Sequence, residues 1–476
     1  MHRFLLDSDG SNFFGHTMTL DAEASVAETV TELPDEVTTY LLCPNGCGRF
    51  YHPTRVGEVY PAATRLVELH GQGIDPFGML LRAVRATGRE TLITYRMNDV
   101  HGADDPDAPG TADFKRQHPD LIVDAAGARD GTGGWMAHCL DYSQPAVQEY
   151  ILATIRELLD LYGDTIDGLQ LDWLRFPRHL SGSPDQVWEK RGALTQFTAA
   201  VRAELDRTRP GLRLGARVPT HVAGWHQLGT DAAEWARRGL VDFLVATPFL
   251  VSDFHMPFAE MRTELQAGMG GGGVPLYADI EFGHATQMHS PESLRAAALG
   301  LYGSGADGMY VFNFPCWTEY IGARPYHWLT QINTEEAAAA KPLLYSVPHQ
   351  NHRVAEVDLA GQLPAALGAG GEASFHLWLP ERSLPARRAL ALVHSGGDVC
   401  LRVNGAAAEE LPHLRRAELF PEYVSPSEHP APRPADEDCR LFAVVVGSLR
   451  PGDNDLELTS VADAELEILK INLGLW

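Results

Sequence analysis

The chain has 476 residues, 45% of them hydrophobic, which is enough to bury a large core and long for a single domain. Its 38 basic and 63 acidic residues give a net charge of −25, which speaks against nucleic acid or an anionic membrane as a partner, since both reward clustered Lys and Arg. Met1 to Asp9 lacks the apolar run of a signal peptide and no stretch nears the ~20 apolar residues that span a bilayer, so a cytoplasmic location is expected, with homo-oligomerisation left open.

Eight short segments read as strands: Arg3 to Asp7, Thr38 to Cys43, Thr91 to Met97, Gly168 to Trp173, Arg213 to Val218, Phe243 to Thr247, Pro275 to Glu281 and Gly308 to Phe314. Helical spacing separates most of them, as in Phe77 to Ala86, Pro145 to Tyr162, Gln186 to Thr208, Ala232 to Gly239 and Pro291 to Gly303. Eight strands alternating with helices is the pattern of a (β/α)8 TIM barrel. A doubly wound sheet would show a glycine-rich phosphate turn after its first strand, and Asp7-Ser8-Asp9-Gly10 is not one. Gly270 to Gly273 leads into a strand instead of opening a helix, so it reads as a connection.

After Trp328 the pattern changes. Glu335 to Lys341 is an Ala-rich helical turn and Pro342 to His352 reads as a linker. Short alternating strands follow: Arg353 to Leu359, Ser374 to Leu379, Ala389 to His394, Val399 to Val403, Leu441 to Val446 and Asp455 to Leu458. Asn404-Gly405 suits a tight hairpin, and the Pro-rich stretch from Pro421 to Pro434 reads as a long loop. The expectation is a barrel over residues 1–345 and an all-β sandwich over 346–476.

Strand parity places candidate chemistry at the C-terminal ends of the barrel strands, where barrel active sites lie. In Gly168 to Trp173, the apolar Leu169, Leu171 and Trp173 share one face, and Gln170 and Asp172 share the other. Asp7, Asp9, Arg96, Asn98, Asp99, Arg217, Asp279, Glu281 and Asn313 end other strands. Such a crown of carboxylates, guanidiniums and amides suits a polyhydroxylated ligand, whose hydroxyls each need a donor and an acceptor. Asp172 and Glu281 lead as a pair for glycosidic cleavage, with Asp253 in reserve as general acid and Asp279 one layer deeper as a binding or tuning group. His101 and Arg175 join the binding set, and Trp317 is the favoured aromatic platform over Trp135, Trp173 and Trp328. An Asp at a strand end more often caps the next turn or pairs with a nearby Arg, and a Glu there can simply hold Arg217 or Arg96. The long segment from Asn98 to Tyr142, with His101, Trp135 and His138, is expected over the mouth.

The stretch Asp167-Gly-Leu-Gln-Leu-Asp172-Trp-Leu-Arg175-Phe-Pro177 resembles the fourth-strand signature of bacterial glycoside-hydrolase-like barrels, the hypothetical glycosyl-hydrolase-10-like group. Tyr95-Arg96-Met97-Asn98-Asp99 followed by His101 is similar to the third-strand motif of the same group. The resemblance implies a barrel glycosidase over roughly residues 1–345, with Asp172 in the nucleophile position. More loosely, Leu401-Arg-Val-Asn-Gly405 and Leu449-Arg-Pro-Gly-Asp-Asn454 resemble jelly-roll sugar-binding-like domains appended to glycosidases.

Two other functions compete. A carbohydrate-binding protein could keep the crown without turnover, since barrels host many functions. A metal-dependent barrel hydrolase is suggested by 20 His but lacks a His-x-His first strand and a His-Glu-x-x-His helix. Cys43-Pro-Asn-Gly-Cys47 has no partner pair at zinc spacing, and the other cysteines, Cys139, Cys316, Cys400 and Cys439, are too scattered for a disulfide framework. No metal and no cofactor is therefore expected, and the expected partner is a carbohydrate substrate.

Overall fold

The computed structural model describes the chain except for residues 1–2, 104–110, 131–133, 249–250, 268–272, 282, 285–286, 315–324, 350–360, 413–437 and 464. Eight parallel strands close into a barrel: β1 (Phe4–Ser8), β2 (Thr39–Leu42), β3 (Glu90–Arg96), β4 (Gly168–Asp172), β5 (Arg213–Pro219), β6 (Phe243–Thr247), β7 (Leu276–Ile280) and β8 (Met309–Phe312). Each pairs with its sequence neighbours and β8 returns to β1, Phe4 facing Met309. All eight expected segments are present, with ends shifted by no more than two residues.

Helices cover the outside. In α1 (Pro145–Tyr162), Pro145 supplies the first-turn residue that needs no N–H partner, and Val147, Ile151, Ile155, Leu158, Leu159 and Tyr162 form the buried stripe. The stretch expected as one helix from Gln186 is two, Pro184–Lys190 and α2 (Gly192–Thr208). They join at Arg191, whose guanidinium stacks on Trp188 at 4.3 Å and pairs with Asp231, next to a glycine that propagates a helix poorly. Apolar periodicity runs through this joint, so spacing alone cannot show it. Along the last barrel helix, α3 (Pro291–Ser304), Ser290 and Ser293 form a reciprocal cap at the N-terminus.

The two ends of the barrel interior differ. At the bottom Arg3 lies over the rings of Phe243 and Tyr277 and pairs with Glu90, which plugs that end. Phe243 fills the interior so fully that a Cβ at Gly215 would lie 2.1 Å from its ring. Above it the inward residues turn polar: Asp7, Thr94, Gln170, Arg217 and Asp279 are all buried. This polar layer lies towards the C-terminal ends of the strands, the end at which the loops carrying the candidate site residues leave the barrel.

Beyond the barrel the chain forms two antiparallel sheets, making the fold a (β/α)8 barrel followed by an all-β sandwich. One has six strands, β9 (Leu343–Ser346), β10 (Ala365–Leu367), β12 (Ala389–Ser395), β15 (Glu409–Glu410), β16 (Cys439–Val444) and β18 (Leu466–Leu475). The other has four, β11 (Glu372–Leu379), β13 (Val399–Val403), β14 (Ala406–Ala407) and β17 (Gly452–Ser460). Asn404 and Gly405, both at positive φ, make the two-residue hairpin between β13 and β14. Two sequence expectations need correction. Leu343 to Ser346, expected within a linker, is a strand on β18, and β18 itself was not foreseen. Four residues are too few to show alternation, and the alternation of β18 changes phase at Leu469, where its pairing with β12 shifts register between His394 and Ser395. The segments Arg353 to Leu359 and Pro421 to Pro434 lie outside the described residues. The sheets rest on the barrel where Phe254 meets Tyr345 and where His255 stacks on Trp378 at 4.5 Å.

Candidate active site

The strands and their loops bring ten of the expected site residues into two adjoining clusters at one end of the barrel. Asp172 ends β4 and lies beside Arg217 of β5 in the strand register. Both are 1% exposed. Asp172 Oδ1 accepts the backbone N–H groups of Leu174 and Arg175, each at 3.1 Å, and Oδ2 accepts Arg217 Nη1 at 2.9 Å. Both structural roles open to a strand-end Asp, capping the next turn and pairing with an Arg, are therefore present in one residue.

Arg217 is the hub. Its Nη2 reaches Asp279 Oδ2 at 2.6 Å and Glu281 Oε1 at 3.2 Å. Asp172 and Glu281, from β4 and the end of β7, are thus brought to the two arms of one planar fork. Three buried carboxyls around one guanidinium leave negative charge in excess, and the site answers with protons. Burial, with Asp279 alongside, holds Glu281 well above the usual carboxyl range against the pull of Arg217. Burial likewise pushes Asp279 up to about 6 and Asp7 up to about 7, Arg217 opposing in both. Glu281 Oε2 and Asp279 Oδ1 have no hydrogen-bond partner.

A second cluster adjoins the first. Asp9 accepts Ser11 at Oδ1 and the Asn313 amide at Oδ2, 2.7 Å away. Arg96 lies 3.3 Å from Asp9 and 3.0 Å from Asp99. Asp99 is held well below its ordinary value: burial would raise it, but His101, 2.7 Å from Oδ1, and Arg96 outweigh that. His101 Nε2 lies 3.2 Å from Arg175 Nη2. Phe312 ties the clusters together, with the guanidinium carbons of Arg217, Arg175 and Arg96 at 4.3, 5.7 and 6.0 Å from its ring centre.

Not every expected residue faces this centre. Asn98 spends its amide hydrogens on the carbonyls of Leu140 and Arg178 and accepts the Leu140 N–H at 2.8 Å, so it fastens the long loop and has no N–H left for a ligand. Asn313 is likewise engaged, by Asp9 and by Asn12 at 2.9 Å. Half-buried Asp253 makes no ion pair with Arg217, and burial pushes its carboxyl up to about 7. Trp317 and the Trp135 side chain lie outside the described residues. Trp173 is fully buried against Tyr142, His179 and Trp235, a packing residue as its parity indicates.

Sequence reasoning missed three groups. Tyr310 donates its hydroxyl to Asp7 and accepts Gln170 Nε2 at 2.8 Å. Its parity with Asn313 is opposite, so the signal lay in its own alternation with Phe312. Ser252 donates to the Glu281 carbonyl at 3.0 Å and meets His289 Nε2 at 2.7 Å. No spacing rule links a loop serine to a histidine beyond the next strand. The long β3 loop is pinned where Val100, Val123 and Cys139 pack on Phe176. Phe176, Cys47 and Asn313 all hold positive φ, and all lie in loops at this end; such strain persists only where surrounding contacts fix it.

Cys47, Asp99 and His101 bring one ligand atom each within 4.8 Å of the others, the one such group among the described residues. Arg96 pairs with Asp99 and Lys115 Nζ lies 2.7 Å from the Asp99 carbonyl, so two cations already occupy the surroundings that a metal ion would need. No disulfide joins the described cysteines. Among the described residues no helix is long and apolar enough to cross a membrane.

No protein-family model matches the chain, and no curated protein matches it. Among solved structures, it is similar to the glycoside hydrolase domain of PgaB from Bordetella bronchiseptica at 12% identity, over 70% of this chain and 99% of that one, with a TM-score of 0.45. A C-terminal domain from a chitinase candidate of Desulfitobacterium hafniense is similar at 14% identity, over 59% of this chain and 66% of that one, TM-score 0.33. The GH36 alpha-galactosidase AgaA from Geobacillus stearothermophilus is similar at 13%, over 93% of this chain, TM-score 0.39, and this chain spans only 55% of its length.

Proposed function

We propose that the chain is a glycoside hydrolase, with Asp172 as nucleophile or general base and Glu281 as general acid. The observation that carries this is the pair of carboxyls held on one guanidinium fork in two different settings. Asp172 receives three donors and faces no acceptor, the setting of a carboxylate. Glu281 is buried and held well above its ordinary value, so it keeps the proton that a leaving oxygen needs. Paired carboxyls with divergent environments are the working parts of glycosidic cleavage. The motifs at Asp167–Pro177 and Tyr95–His101 add the resemblance to the glycosyl-hydrolase-10-like group, and a jelly-roll-like role for residues 346–476 belongs to the same proposal.

The substrate is a carbohydrate, bound by Asp7, Asp9, Asp99, His101, Arg175 and Asp279 around the pair. Activity on a panel of 4-nitrophenyl glycosides, with Asp172→Asn and Glu281→Gln alongside, is the test. Each variant should lose orders of magnitude in turnover while retaining its fold. Near-normal turnover in Asp172→Asn would sink the proposal. Retention is slightly favoured over inversion through the position of Asp172 in the motif, and NMR of the first-formed anomer decides it.

One observation favours a second reading. Arg217 pairs with all three carboxyls, an arrangement that a sugar-binding protein without turnover would also use. Glycan binding with no product from any glycoside would select it.

A further inference from the structure

Three guanidiniums surround Phe312, and they are not equivalent. Arg217 has Asp172, Asp279 and Glu281. Arg96 has Asp9 and Asp99. Among the described residues, Arg175 has no carboxylate within ion-pair distance. Among these residues its one polar side-chain contact is His101 Nε2 at 3.2 Å, and its buried Nε finds no hydrogen-bond partner. His101 Nδ1 faces Asp99 Oδ1 at 2.7 Å, so the tautomer satisfying both contacts carries its hydrogen on Nδ1 and offers Nε2 as acceptor. Only one of the five donors of Arg175 is used there.

The rest of the Arg175 surroundings are aromatic, with Phe176 and Phe312 at 5.2 and 5.7 Å. These rings orient a guanidinium without neutralising it. Burial and the like charge of Arg96 draw Arg175 below its ordinary value, although Glu281, Asp99 and Asp9 act against them from beyond ion-pair distance. A half-buried cation without a partner is costly, and a ligand anion that supplies the partner recovers that cost on binding. The backbone N–H of the same residue donates to Asp172, so this arginine is rooted beside the reacting carboxyl.

We propose that the barrel mouth takes a sugar unit carrying a carboxylate, a uronic acid, with Arg175 as the group that binds it. This rests on the reading of the mouth as a glycosidase site. The planar fork of arginine matches a carboxylate in two parallel hydrogen bonds. The net charge of −25 repels long polyanions, so the substrate is short, a uronide end or a small oligosaccharide.

The test pairs each neutral 4-nitrophenyl glycoside with its uronide, glucoside with glucuronide and galactoside with galacturonide, on the full chain. Titration of free glucuronate, galacturonate, glucose, galactose and glucose 6-sulfate runs beside it. The uronide should exceed its neutral partner at least ten-fold in kcat/KM. Arg175→Gln should cut that preference at least ten-fold, chiefly through KM, and Arg175→Lys should restore part of it. A neutral glycoside preferred by the unaltered chain overturns the proposal without any variant, and so does a uronide preference that survives Arg175→Gln. If nothing is hydrolysed but glucuronate or galacturonate binds at least ten-fold tighter than its parent sugar, anion recognition stands and the hydrolase reading falls. Equal binding of acid and parent, or a preference for the sulfate, overturns the uronide.

Discussion

The Nη2 of Arg217 lies 3.2 Å from Glu281 Oε1, and that contact joins a permanent cation to a carboxyl that burial keeps protonated well above its ordinary range. The same guanidinium holds Asp172 and Asp279, so removing it leaves three buried carboxyls without their cation. Arg217→Met should therefore cost about 3–5 kcal/mol of stability at pH 7.5. The loss should shrink towards pH 5, where the carboxyls can take protons instead. Urea unfolding midpoints at the two pH values measure it; an equal loss at both would contradict the charge argument.

Asp7 gives a cleaner pH signature because it makes no hydrogen bond to that fork, although Arg217 acts on it through space. Its folded value is about 7 against an unfolded value of about 3.9, so the folded chain holds the extra proton between them. A raised carboxyl contributes stability that is complete below the unfolded value and is lost as pH rises through about 7. Asp7→Asn keeps an acceptor for the Tyr310 hydroxyl and removes the titration. It should flatten the fall in stability between pH 4 and pH 8 and leave the variant more stable than the parent at pH 8, by a few kcal/mol in order of magnitude. Thermal melts across that range are the check.

Trp173 tests the packing beneath the site. It is fully buried in a group with Tyr142, Phe197, His179 and Trp235, and its truncation opens a cavity between β4 and the helices outside it. Trp173→Ala should cost about 3–5 kcal/mol, with Trp173→Phe well below that. Denaturant unfolding of both variants gives the comparison.

The barrel was legible because each strand is short, apolar and bounded by turn residues, and because parity in Gly168 to Asp172 put Gln170 and Asp172 on one face. Asp172, Arg217, Asp279 and Glu281 share that inward parity on their own strands, so their convergence followed once closure was assumed. What sequence could not give is how the charges are shared. Arg217 could have served Asp172 alone; that Nη2 also reaches β7 depends on barrel diameter and stagger, which local spacing does not encode. Asn98 shows the opposite failure. It has the position of a site residue, but the long loop passes close enough for Leu140 to take its amide. The strand β18 was missed for a third reason, since a register shift at Leu469 breaks its alternation into two short halves.

The identity of the general acid is the last prediction, and it turns on two carboxyls that both hold protons unusually well. Glu281 lies on the Arg217 fork with Asp172, whereas Asp253 sits in the loop after β6, pushed up to about 7 by burial. An acid must be protonated to work, so kcat/KM should fall on the alkaline side as that proton is lost. Glu281→Gln should abolish that limb and lower turnover by about 10²–10⁴-fold, because the amide cannot donate the proton the leaving oxygen requires. Asp279 shares Arg217 Nη2 with Glu281, so the limb reports the pair and should move when Asp279→Asn removes one member. Asp253→Asn should leave the limb in place. If that variant loses the limb while Glu281→Gln keeps both limb and turnover, the acid is Asp253, and Glu281 is only a partner for Arg217.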